Sequence, residues 1–437
     1  MSKVVGALRR EPGTVRRRGR EVSWRTRART RLTTAGVILA SVVLPVTNAT
    51  PATAADGGTY AYVADFVGDS VSVIDTKTNE IDTITVGIGD GPNDVAVTPD
   101  GTQAYVTNQL DDTVSVIDTS DNTVDTITDD IGDSPTDAAV TPNGDFVYVT
   151  NGLTPSVSVI DTTNNTVTDT ITELEGIGTA PSGVVVNPLL PRAYVTSEGD
   201  DLVIVIDTTN NTVIESIPIV PPFPIFIASP RGLAVNPTGT RLYVANFDGG
   251  TVSVIDTATN DVIDTITQGE GIGSGPYGLA VTPDGDFVYV ANQNDNSVSV
   301  IRTSDNTVTD TITALEGIGN GPSGVAVNPA GTFAYVTNSN SNTVSAISTV
   351  TNTVAETFTV DAEPRGLAVG AVPGTGTVPC PGGQVVTGGG AEITGPEPSN
   401  FVSKPADEPD NAWEVSLTNP TNQDITVRPY ALCSDPT

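Results

Sequence analysis

The sequence predicts an all-β protein: a seven-bladed β-propeller closed by a C-terminal inner strand, with a small disulfide-closed β domain behind it. Three observations predict it. A Tyr-Val signature recurs seven times at a period in the forties, each period reads as four short strands, and a strand-like segment missing from the first period is left over after the last. Glycine (43) and proline (32) are plentiful and aromatic residues make up only 5% of the 437 positions. That balance favours many short strands joined by tight turns over long helices.

The chain begins with a basic stretch, in which 11 of the 19 Lys and Arg residues precede position 32, and continues into the apolar run AGVILASVVLPV and a small-residue site at Ala52 to Ala54. This is the layout of an export signal, so residues 1–55 are expected to be removed and the remainder secreted, extracellular or loosely attached to the cell envelope. The apolar run is too short to span a bilayer, so no membrane insertion is expected. The net charge of -33 then deepens to about -42 in the mature chain. Such acidity excludes nucleic acid and anionic membrane as partners, and self-repulsion favours a monomer.

Residues 56–370 carry the repeats. The segments TYAYVAD, QAYVTN, FVYVTN, RAYVTS, RLYVAN, FVYVAN and FAYVTN set Tyr62, Tyr105, Tyr148, Tyr194, Tyr243, Tyr289 and Tyr335 in register. All but the first are preceded by a GLAV-type run, and each is followed by Val-Ser-Val-Ile-type and Thr-Val-x-x-Thr-Ile-type runs, β-branched and alternating. TPDG, TPNG, NPTG or NPAG turns the first strand into the second, and Asp-Thr-x-x-Asn turns the third into the fourth. The first period lacks its GLAV run, and PRGLAV at residues 364–369 has no period of its own. Pairing the two closes the ring and leaves no sheet edge at the seam.

This pattern resembles the YVTN repeat family of surface-layer-type proteins and related exported propellers. The resemblance implies the fold for residues 59–370 and leaves function wide, because propellers of this kind include binding proteins, lyases, lactonases and parts of redox enzymes.

Histidine is absent and only two cysteines exist, which removes the commonest general base and the ligands of thiol, haem and Cys-zinc chemistry. No metal and no cofactor is expected. The recurring Asp75, Asp118, Asp161, Asp207 and Asp256 invite a calcium reading, but they lie in separate blades before a turn and are assigned to turn capping. The tyrosines are expected between blades, the Asn residues after them in the next loop, and Glu175, Glu270 and Glu316 in plain glycine-rich connections.

A unique site should sit where blades differ, and they differ at the start of the inner strands, around one mouth of the channel. There the sequence offers Arg231, Tyr277, Ser323 and Arg365 as an arc across four successive blades, with Asp94 and Asp137 opposite and Asn93 also at the mouth. Guanidinium groups suit carboxylate, sulfate or phosphate, and a tyrosine face suits a sugar. The connection Ile217 to Pro230, IPIVPPFPIFIASP, enters the same mouth. It either plugs the channel or presents Phe223 and Phe226 to a partner.

Residues 371–437 open on a Pro and Gly-rich break and resume strand patterns at QVVTGG, FVSK, AWEVSLTN and ITVRPYAL. In an exported chain Cys380 and Cys433 are expected to pair, and a core this small needs that link. The module is similar to ones in secreted actinobacterial proteins. Taken together, the sequence predicts a non-enzymatic binding protein for an extracellular ligand or protein, anionic or glycan in nature. Two alternatives stand beside it: a carbohydrate-active or lactonase-type hydrolase using Asp94, Asp137 or the Glu loops, and a passive surface-layer component.

Overall fold

The computed structural model describes residues 58–221 and 227–372, together with the backbone of five strands between positions 374 and 434. The export segment, Phe223, Phe226 and Cys380 lie outside the described residues.

Seven antiparallel four-stranded sheets form in the order the repeats dictate. In the second blade, for example, Pro92–Val97 is the inner strand, followed outward by Gln103–Asn108, Thr113–Asp118 and Val124–Ile127. The first blade is composite. Its inner strand is Pro364–Ala371, paired with Thr59–Asp65 from Thr59↔Ala371 to Asp65↔Pro364, so the left-over GLAV segment fills the gap the first period leaves.

Apolar residues gather in seven clusters among the described residues, one for each junction between blades. The junction of the first and second blades shows why: Tyr62, Val71 and Ile84 from one sheet meet Val95, Val106 and Ile117 from the next. Each sheet therefore buries both faces against its neighbours. At roughly 1.5–3 kcal/mol per buried aliphatic or aromatic side chain, these wedges supply the main driving force.

Polar clasps fix the angle between blades. The tyrosine hydroxyls of Tyr105, Tyr148 and Tyr289 donate to Oδ1 of Asn165, Asn211 and Asn352 in the following blade, at 2.6 to 2.7 Å. Those asparagines have positive φ, 52° to 57°, and end the turn after the third strand. On the mouth face, Asp69, Asp112, Asp201, Asn296 and Asn342 likewise have positive φ and accept backbone N–H groups of the next connection.

Three repeat residues take the roles assigned to them or depart from them for a clear reason. The Asp118-type carboxylates cap their turns, with Asp118 Oδ1 accepting from the Ser120 amide at 2.9 Å. The asparagines after each Tyr-Val strand do not turn a loop. Asn108, Asn151, Asn246, Asn292 and Asn338 are buried and donate through Nδ2 to two hydroxyls of the third strand. Glu175, Glu270 and Glu316 close capping boxes on short 3-10 turns, accepting from Thr172, Thr267 and Thr313.

The C-terminal segment forms a three-stranded sheet, Gly374–Pro379, Ala412–Thr418 and Asn400–Pro405 in that order, and a two-stranded one of Val385–Thr394 with Thr426–Ser434. Its first strand falls in the stretch read from sequence as a break. The Cys380–Cys433 bridge lies outside what the described residues show. No helix of the described residues is long and apolar enough to cross a membrane.

Candidate functional site

The inner strands run along the channel from their leading prolines, so the first and, a step deeper, the second residue after each proline border its lumen. A cavity of about 690 Å³ results, and Asn93, Asp94, Asp137, Arg231, Tyr277, Ser323 and Arg365 all line it. The variable positions of the repeats thus converge on one chamber.

The deeper position is glycine in five blades (Gly183, Gly232, Gly278, Gly324 and Gly366) and aspartate in two, Asp94 and Asp137. The glycines are forced: a Cβ at Gly232, Gly278 or Gly324 would collide with the backbone of the next inner strand. The aspartate blades avoid this by resuming ladder pairing one residue earlier. Asp94 pairs with Thr107 and Asp137 with Thr150, whereas in the fourth blade pairing skips Gly183 and resumes at Val184.

The two carboxyls lie in adjacent blades and hydrogen-bond to each other. Asp94 Oδ2 also accepts from the Ala138 amide at 3.3 Å, and Asp137 from Ala138 and Val184, both at 2.8 Å. Both are half-buried and line the lumen. Burial pushes both up from the usual carboxylate range, and the facing Asp137 charge lifts Asp94 well above it. Of the two, Asp94 is the harder to ionise.

The arginines do not neutralise this pair. Arg231 Nη2 meets Glu198 Oε1 at 2.8 Å, and its guanidinium lies 4.3 Å from the Phe247 ring centroid and 5.1 Å from that of Tyr277. Its Nε is buried without a partner. Arg365 is more fully engaged. It donates to Glu363 Oε1 at 2.7 Å, to Asn93 Oδ1 at 2.9 Å and to Gln109 Oε1 at 3.1 Å, and it stacks on Phe66. Arg365 thus ties the seam blade to the second, while Arg231, with a single ion pair, lines the chamber as the less committed of the two.

Ser323 is buried in the wall, with its hydroxyl committed to Thr337, Ser339 and the Pro364 carbonyl. Tyr277 is half-buried beside Arg231, in edge-on contact with Phe247 at 6.0 Å. Phe66, Gln109, Glu198 and Phe247 went unremarked in the sequence reading. All four directly follow the Tyr-Val strand ending, a position that varies from blade to blade and would have flagged them. Among the described residues no group of three or more carboxylates gathers to hold a metal ion.

Comparison with known proteins bears on this chamber. A family model described as a seven-bladed β-propeller lactonase matches residues 51–214, 126–262 and 258–365. Among solved structures, a periplasmic gluconolactonase of Pseudomonas aeruginosa is 18% identical, with 71% of this chain and 99% of that one covered and a TM-score of 0.57. A 6-phosphogluconolactonase assignment from Bacteroides uniformis is 16% identical over 71% and 99%, TM-score 0.58. The hydrazine synthase of Kuenenia stuttgartiensis is 22% identical over 63% and 89%, TM-score 0.55. At these identities the likeness is one of fold. No curated protein matches the chain.

The family match overturns the expectation of a non-enzymatic binding protein. That expectation rested on the lack of histidine, and the hydrolase alternative, with Asp94 and Asp137 as its carboxyls, is the one the match favours. By the family match across its repeat region, the chain belongs to the lactonase family of seven-bladed β-propellers.

Proposed function

We propose that the chain is an exported lactonase-type hydrolase acting on a small anionic lactone, with Asp94 and Asp137 as its proton-transfer pair. The observation that carries the reading is the pair itself: two interacting carboxyls from adjacent blades, both held above their usual range by burial, in the lumen of a lactonase-family propeller. The Asp137 carboxylate takes a proton from water as its oxygen bonds to the lactone carbonyl carbon. The ring C–O bond then breaks and the alkoxide oxygen takes the Asp94 proton, leaving a hydroxy acid. Transfer along the shared hydrogen bond returns the proton to Asp94, ready for a second turnover.

Arg231 suits the anionic group of such a substrate, with Tyr277 against its ring. The Glu loops drop out of the reaction, because Glu175, Glu270 and Glu316 are spent on capping boxes. Export is supported by the basic and apolar leader, by the resemblance to the YVTN repeats of exported propellers and by the periplasmic location named for the Pseudomonas gluconolactonase. An exported chain suits a Cys380–Cys433 bridge in the C-terminal module.

The test is hydrolysis of a panel of sugar-acid and aliphatic lactones by the full chain, followed by proton release. Asp94→Asn keeps the hydrogen bond and removes the acid, so turnover should fall by about 100-fold or more. Unchanged turnover in that variant, or no turnover of any lactone by the native protein, overturns the reading.

A further inference from the structure

The first blade carries a buried carboxyl that no other blade has at that place. At the end of the Tyr-Val strand five blades place a buried asparagine, the fourth places Ser197, and the first places Asp65. Asp65 is fully buried, and its Oδ2 accepts from Ser72 Oγ at 2.7 Å and Ser70 Oγ at 3.4 Å. Its other oxygen, Oδ1, has no hydrogen-bond partner. The same oxygen of the five asparagines is also unpartnered. The geometry is therefore the common one, and what is particular to Asp65 is its ability to carry charge.

Its position gives that charge leverage. Asp65 pairs with Pro364, the first residue of the strand that closes the ring. Ser70 Oγ, which contacts Asp65, also donates to Asp361 Oδ2 at 3.1 Å, in the connection leading to that strand. The loop after Asp65 is hydrogen-bonded to the same connection, Phe66 N to Glu363 O at 3.0 Å and Val67 N to Ala362 O at 3.1 Å. The charged groups near Asp65 are thus Asp361 on this connection and, beyond it, Glu363 and Arg365, which satisfy each other. Asp69 on the loop is bound by the Gly91 amide. No cation faces Asp65 among the described residues.

We propose that Asp65 is a proton-operated latch on the seam of the ring: protonated, it holds the first blade as asparagine holds the others, and ionised, it sets two negative charges across Ser70 and loosens the closing strand. The proposal does not depend on the hydrolase reading. Burial, with the neighbouring Asp361 charge adding to it, pushes Asp65 up to about 7. The sign follows. An unfolded aspartate ionises near pH ~4, so from there to about 7 the folded chain holds a proton the unfolded chain has lost. The stabilisation is complete below that window and is lost as pH rises through it.

The experiment compares the full-length protein with Asp65→Asn, which installs the residue five other blades already use. Melting temperature is measured from pH 4 to 8.5, and amide exchange of residues 364–371 at pH 8. The melting temperature of the native protein relative to the variant should fall steadily to about pH 7 and then level. At pH 8 the closing-strand amides of the native protein should exchange about tenfold or more faster than those of Asp65→Asn, since each unit of raised pKa is worth a factor of ten. Asp361→Asn should shift the levelling point to lower pH. A constant difference between the two proteins across the range overturns the proposal. So does an exchange difference spread evenly over all seven inner strands.

Discussion

Replacing Gly278 by alanine tests whether the inner strands are as closely packed as the glycine ring implies. An ideal Cβ there would lie 3.2 Å from Gly324 Cα and 3.3 Å from the Ser323 carbonyl carbon, and closer still to that residue's carbonyl oxygen. All three atoms are backbone, so no side chain can swing away. In a closed ring the neighbouring strand cannot retreat without pressing on the blade behind it. Overpacking of this kind costs about 3 kcal/mol. At ~2.1 cal/mol/K per residue over the propeller, that lowers the melting temperature by about 4–5 °C. The control is Gly269→Ala, where the nearest atom is Thr267 Oγ1 at 3.6 Å and the expected change is a gain of up to ~0.5 kcal/mol. Thermal unfolding followed by circular dichroism distinguishes them. Equal shifts for both variants would refute the steric account.

Four further outcomes follow from the site and the clasps. Lactone hydrolysis should show a bell-shaped pH dependence, rising as Asp137 ionises and falling as Asp94 does, with the rising limb above the ordinary carboxylate range because burial raises both groups; a rate that only climbs with hydroxide concentration contradicts it. Arg231→Ala should raise KM for an anionic lactone about 10- to 100-fold with little change in melting. Arg365→Ala should chiefly lower the melting temperature, since it frees Glu363, Asn93 and Gln109; the reverse pattern would exchange their roles. Tyr148→Phe removes the 2.6 Å bond to Asn211 and should cost about 1 kcal/mol in a denaturant titration.

Much of this molecule can be read from its repeats. Tyr62 through Tyr335 set the blade period because each strand must bury an aromatic at the same junction, and PRGLAV announces the seam because a GLAV run without its own blade needs an edge to pair with. The rim of the chamber was legible for a related reason: positions freed from the repeat's packing, such as Arg231 and Arg365, are where blades differ. Asp94 and Asp137 were legible as candidates on one side of the mouth, but not how closely the ring brings their carboxyls together. Asp94 and Asp137 each look like a local departure from glycine, and only the curvature of the ring makes them neighbours. Nor does a residue list convey that burial raises a carboxyl enough to do work usually given to histidine. Glu198 and Phe247 were missed because the residue after each Tyr-Val strand was grouped with its turn.

The composite first blade also sets when the molecule can finish folding. Thr59–Asp65 is the earliest strand of the propeller to be synthesised, and its inner partner, Pro364–Ala371, comes some three hundred residues later. Until then six blades can assemble by local hairpins while one hydrogen-bonding edge stays open, a template for pairing with another chain. The last join is the longest loop closure in the fold, so its rate should govern both the completion of folding and the time during which neighbouring chains can compete for that edge.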